Sequence, residues 1–241
     1  MNKLKKTSSK LVKESSEIEI LFSSLLNKIP DSVDGKSAIL EMRDGGSPNW
    51  RQMEWIGFWF EYFVKNQIIP DIGGGLGPTY GSTTFDFQRD YVWDLKAHPN
   101  NSDLMILNDK KSVLDCVYEN GGMGFIIVLG DTKLDDDSQT FKNWHDKLKG
   151  GKSKYEEERI KRKAPSRVRK IKFNPTKLFS FWISGGSEIE KGLENGWLKP
   201  FQENMRNSNG KPRPPKLSVK LTKIPRDLIL FDKAIKFSKL I

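Results

Sequence analysis

Residues 91–98 read YVWDLKAH. The run is apolar and aromatic enough for a strand inside a sheet, yet Asp94 and Lys96 interrupt it two residues apart. Residues two apart on a strand share a face. The pattern therefore predicts a carboxylate and an amine side by side, with Trp93 and Leu95 entering the core on the opposite face. A charge inside a core is costly unless it is paired or put to use.

The reading extends outward from there. TTFDF, residues 83–87, is also rich in strand formers, and a polar stretch of Gln88, Arg89 and Asp90 lies between the two runs. Together they predict a β-hairpin over 83–97. With an odd-numbered turn, Asp86 lies directly across from Asp94. A two-residue turn would need a bulge to bring them together. Two adjacent carboxylates repel, and a divalent cation relieves that repulsion. Hard oxygen donors favour Mg²⁺ or Mn²⁺.

Upstream, WRQMEWIGFWFEYFVKNQI, residues 50–68, predicts a helix that is apolar nearly all the way round. Glu54 and Glu61 interrupt it seven residues apart, so they share a face. Their apolar and aromatic neighbours require at least one of them to meet a polar pocket, a metal or a basic partner. The glycine-rich stretch DIGGGLGPTYGS, residues 71–82, lacks the phosphate-binding GxxxxGK[ST] pattern and reads as a flexible loop over a groove.

Elsewhere, apolar spacing predicts helices over 18–29, 110–119, 139–149, 153–163 and 187–195. The short apolar runs 124–131 and 178–183 suit buried strands, and 217–224 alternates as a strand should. Loops are expected over 44–49 and 206–216. Strands and helices interleave, so the class is α/β or α+β, with a mixed β-sheet flanked by helices. The 241 residues suffice for one domain with a real core.

Asp86 in FDF, then Asp94 and Lys96 in WDLK, preceded by an acidic helix, resembles the core of the PD-(D/E)xK nucleases. The order of elements is similar to that of small type II restriction endonucleases. The matching motif itself spans only residues 83–97. The resemblance implies a restriction-endonuclease-like fold and Mg²⁺-dependent, sequence-specific cleavage of double-stranded DNA to 5′-phosphate and 3′-hydroxyl ends, with Mn²⁺ able to substitute. It implies that Asp86, Asp94 and the carbonyl of Leu95 hold metal. Lys96 would orient or activate the attacking water and stabilise charge on the phosphate. Glu54, with Glu61 as the alternative, would reach the metal through water or position Lys96. Asp71, heading the glycine loop, is the rival first acid. Two other readings stay open. One is a structure-selective repair or junction nuclease. The other is a DNA-binding protein without catalysis, in which Asp94 and Lys96 form an ordinary salt bridge.

The formal net charge is +10, a surplus that favours a polyanionic partner. Residues 142–172 hold 13 Lys or Arg against 4 acids, so they carry +9 of it. Lys152, Lys154, Arg159, Arg162, Ser166, Arg167, Arg169 and Lys170 are the expected DNA contacts, arginine for guanine edges and lysine and serine for phosphates. The chain thus divides into a basic arm over 1–17, a catalytic core over 18–141, and DNA-contacting segments over 142–172 and 206–216. One cysteine, Cys116, and two histidines make a structural zinc site unlikely and allow no intrachain disulfide. No apolar run approaches the ~18–20 residues of a membrane span, and the start lacks a secretory pattern. A cytoplasmic protein is expected. A palindromic site would go with a homodimer, though the length also suits a monomer.

Overall fold

A computed structural model of the chain describes residues 7–152, 154–165, 168–206 and 210–235, and only the backbone at 154 and 155. Elements follow in the order α1 (Ser9–Lys13), α2 (Ser16–Lys28), β1 (Val33–Asp34), α3 (Gly35–Asp44), α4 (Trp55–Phe63), α5 (Ile69–Ile72), β2 (Thr79–Tyr80), β3 (Thr83–Thr84), β4 (Phe87–Gln88) and β5 (Val92–Pro99). Then come β6 (Leu104–Asp109), α6 (Lys110–Asn120), β7 (Met123–Leu134), α7 (Thr140–Leu148), α8 (Lys154–Lys161), β8 (Lys170–Ile183), α9 (Gly186–Glu194), β9 (Leu198–Phe201), β10 (Lys216–Lys220) and β11 (Ile229–Ala234).

The class is mixed α/β, as expected. The main sheet runs β1-β8-β7-β5-β4, with β11 also paired to β8. β5 and β7 are parallel, and β7 and β8 form a long antiparallel ladder. Alternation along these strands divides the core in two. Trp93, Leu95, Ile126, Val128 and Trp182 face a layer built from α2, α3 and α4. Val92, Phe125, Ile127, Phe179, Phe181 and Ile183 face α6, α9 and a second sheet of order β6-β10-β9.

The expected helix over 50–68 is segmented. A 3₁₀ turn at Pro48–Arg51 precedes α4, and a π-helical turn, Val64–Ile68, joins α4 to α5. Glu54 is therefore the N-cap of α4 and lies outside its interior. α3, β6, β9 and β11 were not legible from spacing. β8 starts at Lys170, eight residues before the apolar run that announces it, because its first half alternates polar residues toward solvent.

The hairpin is present with a short first strand. Phe87 pairs with Trp93 and Gln88 with Val92, leaving a three-residue turn, Arg89–Tyr91. That odd count puts Asp86 opposite Asp94. The glycine loop packs against this strand instead of arching over a groove. Gly75 exchanges two 2.9 Å backbone hydrogen bonds with Gln88, and the Gly77 N–H donates to the Phe85 carbonyl at 3.0 Å. The approach requires glycine at position 74, where φ is +102° and a Cβ would lie 2.5 Å from the Phe87 ring.

Candidate active site

β4 covers β5 only as far as Trp93, so β5 presents an open edge from Asp94 onward. Phe85 is buried in one half of the core and Phe87 in the other. The chain bends at Asp86 between them, and the Asp86 carboxylate turns toward β5, where it accepts a 2.8 Å hydrogen bond from the Leu95 N–H. A strand residue sends its N–H and C=O out of the same edge, so the Leu95 carbonyl opens on the same gap.

Asp94, 2 % exposed, points toward the β6 side of the sheet. Its Oδ1 accepts a 2.6 Å hydrogen bond from the Asn108 side chain at the end of β6, and its Oδ2 is ion-paired to Lys96. Glu61, in the last turn of α4, interacts electrostatically with Asp94, Lys96 and Asp86.

The charges are strongly interdependent. Burial pushes the Asp86 carboxyl up to about 8, and the nearby Asp94 and Glu61 charges add to this, while Lys96 and the Leu95 N–H oppose it. Burial likewise raises Glu61 to about 7, with Lys96 opposing and Asp94 reinforcing. Lys96 experiences the converse. Burial alone would push it down, but Asp94, Asp86 and Glu61 outweigh burial and hold its ammonium above the usual lysine value. Lys96 is thus a charged donor at neutral pH. It can orient water or stabilise an anion, but it is not poised to take a proton from water.

The structure brings Asp86, Asp94, Leu95 and Lys96 together and replaces Glu54 by Glu61. Glu54 lies at the other end of α4, with its side chain 60 % exposed and paired to Lys170 at 3.2 Å. Seven helical residues advance about 10 Å, so only one of the two glutamates can reach the open edge. Asp71, the rival first acid, is ion-paired to Lys28 on α2 and takes no part in the cluster. Asn108 is the residue that sequence reasoning left without a role. Its only signal was its place just after a short apolar run.

The donor set is chemically suited to a hard cation: two carboxylates, a main-chain carbonyl and a third carboxylate, all oxygen. The raised Asp86 and Glu61 values mark an excess of acid that a divalent ion would neutralise. Among the described residues, no three His, Cys, Asp or Glu side chains are already grouped closely enough to hold a metal ion. Here Asp94 is engaged by Lys96 and Asn108.

The expected DNA-contacting segment divides. Lys152 and Arg162 are exposed. Arg159 is engaged with Glu156, at 2.6 and 2.8 Å, and Lys170 with Glu54. Arg169 is buried, 7 % exposed, and lines a pocket instead of standing out on the open surface. Ser166, Arg167 and the Lys154 side chain lie outside the described residues. Each of the two histidines bonds a main-chain carbonyl. His98 bonds the Ser102 carbonyl at 2.9 Å. Buried His145 bonds that of Trp50 at 2.9 Å, and burial pushes its pKa down to about 4.

Comparison with protein-family models, with curated proteins and with solved structures finds no match.

Proposed function

We propose that the protein is a Mg²⁺-dependent endonuclease that hydrolyses phosphodiester bonds in double-stranded DNA, in the manner of a type II restriction enzyme. The observation that carries this reading is the convergence of Asp86, Asp94, Lys96 and Glu61 at the one stretch of β5 left without a neighbouring strand. A pure DNA-binding protein has no need to gather three acids and a lysine at a sheet edge. The net charge of +10 supports an anionic substrate.

Asp86, Asp94 and the Leu95 carbonyl would hold the cation, with Glu61 reaching it directly or through water. When bound, Mg²⁺ neutralises charge on the scissile phosphate and acidifies a coordinated water. The chain's own groups do the rest. Lys96 donates to the attacking water and to the phosphoryl oxygens, where negative charge grows. Asp94, tied to Lys96 and Asn108, fixes where that ammonium points. The Leu95 N–H fixes one oxygen of Asp86. The rigid strand sets all these distances before substrate arrives.

The test is incubation with several plasmids in Mg²⁺ and in EDTA, followed by gel electrophoresis. Discrete Mg²⁺-dependent fragments are expected, with 5′-phosphate and 3′-hydroxyl ends. A smear or nicking alone would replace sequence specificity by structure selectivity. Intact DNA of every type would overturn the nuclease reading.

A further inference from the structure

Near the N-terminal end of α4, at the opposite end from Glu61, lies a pocket of about 370 Å³. Arg51, Lys149, Lys152 and Arg169 line it together with Asp146 and Glu156. The two acids are already matched. Asp146 is held by Lys149 at 2.9 Å and Lys142 at 3.2 Å, and Glu156 by Arg159 at 2.6 Å and Lys142 at 3.0 Å. Three cations thus serve two carboxylates. Arg51, Lys152 and Arg169 add three more positive charges and form no ion pair among the described residues, although Asp146, Glu156 and Glu54 act on Arg169 electrostatically from farther off.

Arg169 is the unusual one. It is 7 % exposed, and its Nη1 has no hydrogen-bond partner among the described residues. A buried guanidinium N–H without an acceptor is costly. The planar fork of arginine matches the oxygens of a phosphate better than any other side chain does. Met53 is the single large apolar side chain of the lining, so there is no aromatic platform on which a base could stack. The pocket is built for charge.

We propose that this pocket is a phosphate-binding subsite in which Arg169, Arg51 and Lys152 hold one phosphate of a nucleic-acid strand whose scissile phosphodiester, about three nucleotides along, lies at the Asp86–Asp94–Lys96 cluster. Naming a strand as the ligand rests on the nuclease reading, whereas the affinity for phosphate does not. Geometry links the two places. Glu54 and Glu61 lie seven residues apart on one face of the α4 segment, one beside the pocket and one at the cluster. Their separation of about 10 Å is roughly three steps of rise along one DNA strand. Lys170 pairs with Glu54 and also acts electrostatically on His98, at the far end of β5.

The experiment uses the full-length protein in EDTA, so that no strand is cut. Binding of a fluorescent duplex is titrated over a range of salt concentrations for wild type, Lys152→Ala, Arg51→Ala and Arg169→Gln. Lys152 and Arg51 are exposed, so their variants test the subsite even if Arg169→Gln does not fold. Each folded variant should bind about tenfold more weakly, with the log–log salt slope reduced by about one. Wild-type affinity and slope in Lys152→Ala and Arg51→Ala would overturn the proposal. Inorganic phosphate, followed by thermal shift, separates the two sources of the anion. Stabilisation by phosphate together with unchanged duplex binding in the variants would assign the pocket to a free anion and overturn the strand as ligand. If the variants bind weakly as expected but plasmids survive in Mg²⁺, the nuclease reading falls and the subsite stands.

Discussion

At Lys96, burial and three carboxylates act in opposite directions, and the carboxylates win. Burial, reinforced by the neighbouring acids, makes Asp86 and Glu61 hold their protons well above the usual carboxylate range. These opposing effects make the roles of individual residues testable. Lys96→Ala and Asp94→Asn are expected to lower cleavage by at least ~10²-fold while circular dichroism and duplex binding stay close to wild type. Full activity in either variant would remove the site. Glu61→Gln should impair cleavage strongly, and Glu54→Gln should leave it near wild type. The reverse ranking would return the helix carboxylate to Glu54. Asn108 touches no substrate in this reading and acts through Asp94. Asn108→Ala should cost about 10-fold or more in activity and in Mg²⁺ affinity, and Asn108→Asp should not rescue it, because a carboxylate cannot donate to Asp94. A loss of stability with unchanged Mg²⁺ dependence would make Asn108 merely structural.

At the scale of elements, the site depends on how β5 is held. Trp93, the neighbour of Asp94, lies flat over Gly124 of β7, where a Cβ would sit 2.1 Å from its ring. Its indole N–H donates to the buried carboxylate of Glu17 on α2 at 2.5 Å, and the same carboxylate accepts the Asp90 N–H in the turn at 2.6 Å. One residue of α2 thus fastens both the hairpin turn and the strand that carries Asp94. Gly124→Ala should destabilise the fold by roughly 1–3 kcal/mol through overpacking. Glu17→Ala should cost a similar ~1–3 kcal/mol by leaving buried donors unpaired. Denaturant midpoints measure both. Wild-type midpoints would mean that β5 is held by the β7 ladder alone.

For the whole molecule, the raised carboxylates link stability to pH. A carboxyl whose pKa is higher in the folded state stabilises fully below its unfolded value, and that contribution is lost as pH rises through the folded one. Without metal, the melting temperature should therefore fall as pH rises from about 5 toward the values of about 7 and about 8 for Glu61 and Asp86. Mg²⁺ competes with those protons, so the stabilisation it brings should grow over the same interval. A Mg²⁺ shift that does not depend on pH would place the ion elsewhere. Among the described residues no helix is long and apolar enough to cross a membrane.

Much of this arrangement was legible in the residues themselves. Period-two alternation in YVWDLKAH placed Asp94 and Lys96 on one face, and the hairpin reading allowed Asp86 to lie opposite Asp94. Those properties belong to neighbouring residues and to strand geometry, so local sequence determines them. Whether Glu54 or Glu61 meets the cluster was not legible, because the two share a face. The choice depends on how far α4 is displaced along the sheet, and that is set by packing of side chains remote in sequence. Arg169 shows the same limit. Its segment reads as a solvated basic run, but β8 starts at Lys170 and draws Arg169 beneath α7 and α8. The sequence by itself determined which groups of the hairpin stand side by side. Only the tertiary structure decided which helix carboxylate joins them, that β4 is too short to cover them, and that Arg169 is buried with its Nη1 lacking a hydrogen-bond partner among the described residues.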